Sequence, residues 1–212
     1  MSRLQAGLIA FVALVIGIVV ALNIAPPSAN NKTQHVSLYP QARALSDFQL
    51  IDHNNQSFTS AKLIGHWSLV FVGYTYCPDI CPTTLAELKN VYPELQKIST
   101  DFPIQVVLLS VDPKRDTPER LNDYISFFHS DFIAISGEHS QLFPLVRAMG
   151  MMYSMSESTD NPNYLVDHSS SIVLVNPKAQ VIGRFKPEFV LGKLPISEGQ
   201  KILADMPAIM SQ

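Results

Sequence analysis

The sequence is short of cysteine: there are two in 212 residues, Cys77 and Cys81, four positions apart. Long-range disulfide staples, the usual use of cysteine in small exported domains, are therefore excluded. A pair this close closes so little chain that stability is a poor reason for it, and chemistry is the better one. A thiolate-rich zinc centre is excluded as well, because it normally takes four ligands and there is no third cysteine. Excess charge of either sign is also missing. Fifteen Lys and Arg against eighteen Asp and Glu leave a formal net charge of −3, so there is no basic footprint for nucleic acid. No internal repeat, glycine-rich phosphate loop, Ser/His/Asp arrangement or paired carboxylates stand out. The length leaves room for one globular domain plus a tail or anchor.

What is present begins with a long apolar run. From Ala6 to Leu22 every residue is apolar or Gly, and only Asn23 interrupts before Ala25. About twenty residues at 1.5 Å rise cover the ~30 Å hydrocarbon core of a bilayer. The run exceeds the 7–15 residues of a signal-peptide core, and Pro26-Pro27 stand where a cleavage site would fall. Residues 1–25 are therefore expected to be an uncleaved transmembrane anchor, 26–36 a polar tether, and 37–212 the working domain. Arg3 precedes the run with no acidic residue beside it, which puts that end in the cytoplasm. In a bacterium the chain would be a single-pass protein of the inner membrane with its domain facing the periplasm.

Along the domain, Phe48–Ile51 and Gln56–Thr59 flank Asp52-His53-Asn54-Asn55 and predict a hairpin. Trp67–Tyr74 predicts a buried strand. Leu85, Leu88, Val91, Tyr92, Leu95 and Ile98 then line one helical face, with Pro93 expected to kink or break the helix midway. Ile104–Val111 is a second apolar strand. Asp116-Thr117-Pro118 predicts a capped helix start, followed by Leu121, Tyr124, Ile125 and Phe128 on one face. A short strand at Phe132–Ile135, a helix at Gln141–Met149, strands at Tyr164–Val166, Ser171–Val175 and Val181–Phe185, and a final helix opened by a Ser197–Gln200 capping box complete the order. Strands alternating with helices, then adjacent late strands, argue for an α/β sandwich with a mixed sheet. The order matches a thioredoxin-like fold with an N-terminal β-hairpin extension, preceded by one transmembrane helix.

The chemistry concentrates in Thr75-Tyr76-Cys77-Pro78-Asp79-Ile80-Cys81-Pro82-Thr83, at a strand end and a helix start. The open ends of α/β strands are where ligands bind, and a helix N-terminus favours thiolate over thiol. At i, i+4 on a first helical turn the two Cα atoms would stand roughly 6 Å apart, near enough for a disulfide or for both sulfurs to converge on one ion. Thioredoxin-type oxidoreductases use Cys-x-x-Cys, and one extra residue presents the sulfurs differently. Two thiolates with an imidazole make a small, soft donor set suited to copper, whose Cu(I) form prefers thiolate. The pair alone leaves redox and metal chemistry both open.

Three blocks now carry a resemblance. Phe71–Leu85 (F-V-G-Y-T-Y-C-P-D-I-C-P-T-T-L), Ser110–Pro118 (S-V-D-P-K-R-D-T-P) and Tyr164–Ser170 (Y-L-V-D-H-S-S) resemble, in order, the signatures of the Sco/SenC family of copper proteins in cytochrome c oxidase assembly. The likeness runs from about Leu45 to Ala208. It implies that the metal ligands are Cys77, Cys81 and His168, the last in the loop where thioredoxins carry a cis-proline. It implies copper, as Cu(I), Cu(II) or both, as the bound metal. It implies a metallochaperone assisting the CuA centre of the oxidase, with oxidase subunit II or another copper-accepting protein as partner. The enzymatic alternative is a thiol-disulfide oxidoreductase in which Cys77 attacks and Cys81 resolves, reducing the partner's cysteines; a redox or copper sensor is a third reading. One departure is the hairpin turn, Asn54-Asn55 where the family usually has Gly. Asp79, Asp112 and Asp116 are weaker site candidates, with turn and cap roles the plainer reading for Asp112 and Asp116. His35, His53, His66, His129 and His139 are read as ordinary histidines. Met149, Met151, Met152 and Met155 are read as packing rather than as an auxiliary copper site.

Overall fold

The computed structural model describes residues 5, 7, 11–17, 33–155 and 158–211. The chain divides into two compact units, Met1–Lys32 and Thr33–Gln212. In the first, residues 11–17 are helical. Among the described residues no helix is long and apolar enough to cross a membrane. Most of the expected anchor, and the tether as far as Lys32, lie outside the described residues.

The second unit is built on a mixed sheet. In chain order its strands are β1 (Val36–Ala44), β2 (Gln49–Asp52), β3 (Ser57–Thr59), β4 (Trp67–Gly73), β5 (Ile104–Ser110), β6 (Ile133–Ser136), β7 (Tyr153–Met155), β8 (Val166–His168), β9 (Ile172–Val175) and β10 (Gln180–Phe185). The helices are α1 (Ile80–Leu95), α2 (Pro118–Phe128), α3 (His139–Ala148) and α4 (Gly199–Met210). Eight strands form one sheet in the order β1-β10-β9-β4-β5-β6-β2-β3, and β7 with β8 form a separate two-stranded ribbon. The β4, β5 and β6 strands run parallel, and their neighbours are antiparallel. This is a thioredoxin-like arrangement with the expected hairpin, β2–β3, added at one side.

Central position explains composition. Every residue of β4 and of β5 is buried, as a strand covered on both faces requires, and both read as nearly unbroken apolar runs. By contrast β10 alternates buried and half-buried positions. The hairpin turn needs a left-handed residue and has it in Asn55, at φ 60°. Asparagine tolerates that region better than other side chains, so the departure from Gly is accommodated.

Several expectations are corrected. The first helix is not broken midway: it runs through Pro93 and ends at Leu95, where the missing N–H and ring clash act on its last turn only. Leu85, Leu88, Val91, Tyr92 and Leu95 form its buried face as expected. The second helix is capped by Thr117, whose side chain accepts from the Arg120 N–H. No capping box opens α4. Its N-cap is Glu198, Ser197 Oγ donates to the Phe185 carbonyl, and Glu87 of α1 accepts the Gly199 N–H at 2.9 Å. A Cβ on Gly199 would stand 2.7 Å from the Glu87 carbonyl oxygen, so close helix packing takes over the role of the local cap. The strand expected at Tyr164–Val166 begins at Val166 instead. No pattern announced β1, because Pro40 and a register shift between Leu38 and Arg43 interrupt its alternation.

Candidate metal centre

The parallel pairing of β4 and β5 sets Gly73 opposite Ser110. The cysteine loop and the Ser110–Pro118 segment therefore leave the sheet side by side. The turn after β4 carries Cys77, and α1 starts only at Ile80. The two cysteines thus do not share a helical turn, as the sequence reading had them: Cys77 lies in the loop and Cys81 in the first turn of α1. Cys81 is fully buried and Cys77 half-buried, and both are free thiols. Room for Cys81 comes from Gly73, where a Cβ would stand 2.7 Å from Sγ and 3.0 Å from the Phe71 ring. Gly73 is thus part of the site, although in the sequence it reads as a plain strand-end residue.

The loop is held from behind by Asp116. Its carboxylate, almost fully buried, accepts from the Thr75 N–H at 2.9 Å, from Thr75 Oγ1 at 2.6 Å and from Ser110 Oγ at 2.5 Å. Burial pushes the Asp116 carboxyl up, and these hydrogen bonds pull against it. Arg120 adds a bond from Nε to Thr75 Oγ1 at 3.0 Å. The aspartate expected to serve as a turn or cap residue is therefore the internal brace of the cysteine loop.

The third donor arrives on the β7–β8 ribbon. Asp112 is the fastening point: its carboxylate accepts from Tyr164 Oη and from Arg115 Nε. The Arg115 guanidinium lies 3.5 Å from the centroid of the Tyr164 ring and donates to the Pro162 carbonyl at 3.0 Å. Tyr74 Oη accepts the Val166 N–H. Two residues on, His168 is set edge-on against Phe71 and Tyr74, with centroids 5.9 and 5.8 Å away. Its Nδ1 faces the Ser169 carbonyl at 3.2 Å. A carbonyl only accepts, so Nδ1 donates to it, and Nε2 is the nitrogen turned toward the sulfurs. That Nε2 stands 3.4 Å from Cys81 Sγ.

Cys77, Cys81 and His168 offer three ligand atoms all within 4.8 Å of one another. Ligand bonds of 2.0–2.3 Å to a common ion require donors roughly 3.5–4 Å apart, so a small shift closes the set on one metal. The electrostatics of the two sulfurs differ. The hydrogen bond from the Cys81 thiol, opposed by burial but helped by the His168 ring and by the N–H groups of Cys81 and Asp79, brings the Cys77 thiol down to about 4. Burial, and then the Cys77 sulfur, pushes Cys81 well up. The pair therefore holds one thiolate and one thiol at neutral pH.

Among the described residues no other three His, Cys, Asp or Glu side chains converge in this way. Asp79 takes the N-cap position of α1 without a side-chain cap, its carbonyl accepting from Thr83. The remaining histidines have other partners: His35 N–H and His66 Nδ1 meet Asp205 and the Ile64 carbonyl, His53 accepts the Ala134 N–H, His129 stacks on Phe132 and meets Tyr92 edge-on, and His139 meets Tyr153 Oη. Met149 and Met151 are buried core, Met155 packs against the core, and Met152 is exposed beside Ser169.

The SCO1/SenC family profile matches residues 37–193. The SCO2-like protein of Rickettsia prowazekii is 41% identical over 145 residues, covering 68% of each chain. The crystal structure of Arabidopsis thaliana ScoI with copper bound superposes with a TM-score of 0.67 at 26% identity, covering 79% of this chain and 98% of that one. The apo Sco1 of Thermus thermophilus gives 0.69 at 27% identity, over 86% and 99%.

Proposed function

The chain belongs to the SCO1/SenC family, and from that membership we propose that it is a copper metallochaperone, holding its cargo through Cys77, Cys81 and His168 and handing it to a copper-accepting protein of cytochrome c oxidase assembly. The observation that carries this reading is the convergence of two sulfurs and one imidazole nitrogen at one strand end. That donor set suits copper in either oxidation state, and a related ScoI binds copper. Cys81 is fully buried and His168 is half-buried like Cys77, so of the two sulfurs the one a partner can reach is that of Cys77. Its thiolate yields first to an incoming partner thiolate, and the copper passes over by ligand exchange while Cys81 and His168 stay fixed in the fold. The CuA centre of oxidase subunit II is the client that the family resemblance favours. The apolar run Ala6–Leu22 supports an anchor with its N-terminus in the cytoplasm, leaving the domain in the periplasm.

The contrast between the two sulfurs also supports a second reading, thiol-disulfide exchange. The Cys77 thiolate attacks a client disulfide, a mixed disulfide forms and one client thiolate leaves. Cys81, losing its proton, then attacks Cys77 Sγ and releases the second client thiol. The chain is left with a Cys77–Cys81 disulfide that an external dithiol must reduce.

His168→Ala separates the two. Under the chaperone reading, titration of the reduced protein with Cu(I) against a chelator finds affinity down at least a hundredfold, and oxidase assembly fails in cells, while disulfide exchange with a model substrate persists. Normal oxidase assembly with His168→Ala would sink the chaperone reading.

A further inference from the structure

The turn that delivers Cys77 also puts an aromatic ring on the surface beside it. The Cys77 N–H donates to the Tyr74 carbonyl at 3.3 Å, which makes Thr75 and Tyr76 the two central residues of a β-turn. Thr75 is buried and held by Asp116. Tyr76 is 48% exposed, and Pro78 on the other side of Cys77 is exposed too. The half-buried Cys77 is thus recessed between two exposed neighbours. An exposed ring is ordinarily free to swing, but this one is held. The Arg115 guanidinium stands 4.7 Å and the Arg120 guanidinium 5.0 Å from its centroid, both inside the ~6 Å reach of a cation–π contact. Neither arginine depends on the ring for its own place. Arg115 is bonded to Asp112 and the Pro162 carbonyl, and Arg120 to Thr75 Oγ1. Arg115 Nη2 is buried without an acceptor, and the rings of Tyr74, Tyr76 and Tyr164 all lie within 5.7 Å of the guanidinium.

Position and rigidity together define what the ring can do. Under the handover reading, a partner thiolate must come within about 2.3 Å, a metal–thiolate bond, of an ion held at Cys77. A small thiol can slip past a neighbouring ring. A folded protein cannot bring a cysteine that close without laying its surface on Tyr76 and Pro78. Aromatic side chains at the centre of a contact carry much of its energy, and one that is fixed beforehand costs little further ordering. The chemistry that Tyr76 fits is a protein whose accepting cysteines stand beside an apolar hollow of the size of a phenol ring.

We propose that Tyr76 is the docking anchor for the thiol-bearing protein that receives copper from Cys77, and so a residue that sets which protein is served. The proposal rests on the handover reading above, in which Cys77 is the sulfur the partner meets. The test uses the full chain in detergent, loaded with Cu(I), and as acceptor the metal-free CuA domain of oxidase subunit II with its cysteines reduced. Tyr76→Ala should raise the acceptor concentration that half-saturates transfer about tenfold or more, the scale of a lost aromatic anchor, with the maximal rate little changed. Tyr76→Phe, which keeps the ring, should match the wild type. So should Phe102→Ala, whose ring is 44% exposed just before β5, at the opposite end of the parallel strands from the cysteine loop. The rate at which the small chelator bathocuproine strips the copper should be the same in every variant. A second reaction needs no copper: the acceptor carries thionitrobenzoate on one cysteine, the Cys77 thiolate attacks that cysteine's sulfur, a mixed disulfide forms and the coloured thionitrobenzoate anion leaves. Tyr76→Ala should again need about ten times more acceptor, while free Ellman's reagent reacts at an unchanged rate. Equal half-saturation of Tyr76→Ala and wild type, in any reaction the wild type performs, overturns the proposal. Equal slowing toward the protein and the small reagents also overturns it, because the ring would then be shaping the metal site. A wild type that passes no copper refutes the delivery reading, and the disulfide reaction alone then decides for or against Tyr76. A wild type inert in both reactions refutes the client and the proposal together.

Discussion

Cys81 and His168 meet at 3.4 Å, but they are supported in opposite ways. Cys81 is embedded: it lies under the end of β4 at zero exposure, with Gly73 leaving the space for its sulfur and Asp116 bracing the preceding loop. His168 is mounted on a ribbon of two three-residue strands outside the main sheet. The ribbon is tied down by Tyr164–Asp112, Val166–Tyr74 and the backbone bond from Ser169 N–H to the Met152 carbonyl. One half of the centre is thus part of the core, and the other is a fastened attachment. Damage to the first half should register as lost stability, damage to the second as lost metal affinity with the fold intact.

Asp116→Ala should do the most harm. It strips a buried acceptor from three donors and orphans the Thr75 N–H. Buried donors left without partners cost ~1–3 kcal/mol each, and the two hydroxyls can turn to other acceptors. A loss of about 3 kcal/mol in chemical denaturation is expected, with copper affinity falling as the loop loosens. Gly73→Ala comes next. Its methyl would press on Cys81 Sγ and the Phe71 ring at 2.7 and 3.0 Å, neither of them the end of a flexible chain. Overpacking of this kind costs about 1–3 kcal/mol, and the displaced sulfur should weaken Cu(I) binding at least tenfold in a chelator competition. Tyr164→Phe probes the other half. It removes the hydroxyl donor to Asp112 while leaving the Arg115 bond in place. Stability should fall by only about 1 kcal/mol. Copper affinity should still drop severalfold, because the His168 ribbon has lost a fastening. Equal losses of stability from Tyr164→Phe and Gly73→Ala would erase the distinction between the two halves.

The same division governs what could be read from the sequence. The embedded half is local: a buried strand, the cysteine loop and a helix follow one another within Trp67–Leu95, and each left its pattern in the chain. His168 lies 87 residues from Cys81, and nothing in its own surroundings separates it from five other histidines. It was legible only through the resemblance of Tyr164–Ser170 to a family signature. Asp116 and Asp112 read as cap and turn residues because their actual work is done across tertiary contacts with Thr75, Ser110 and Tyr164. The Ser197 box failed for the same reason, since Glu87 from another helix supplies the acceptor. Periodicity reports which face is buried; it does not report which buried carboxylate meets which loop.

The smallest expected effect asks whether the two halves communicate. The Cys77 thiol is lowered to about 4 chiefly by the Cys81 thiol, with the His168 ring a lesser contributor. Above that value Cys77 is thiolate, and its alkylation by iodoacetamide should stay nearly constant from pH 8 down to pH 6. An ordinary thiol with a pKa near 9 would slow about a hundredfold over the same interval, since only the thiolate reacts. The decline for Cys77 should come only as pH falls through the acid range toward its lowered value. Because Cys81 supplies the leading cause, Cys81→Ser should move that decline to distinctly higher pH. His168→Ala should move it upward too, but by less, and Tyr164→Phe hardly at all. A His168→Ala profile displaced as far as that of Cys81→Ser would mean that the ribbon sets the thiolate as strongly as the core does, and the two halves would have to be treated as one electrostatic unit.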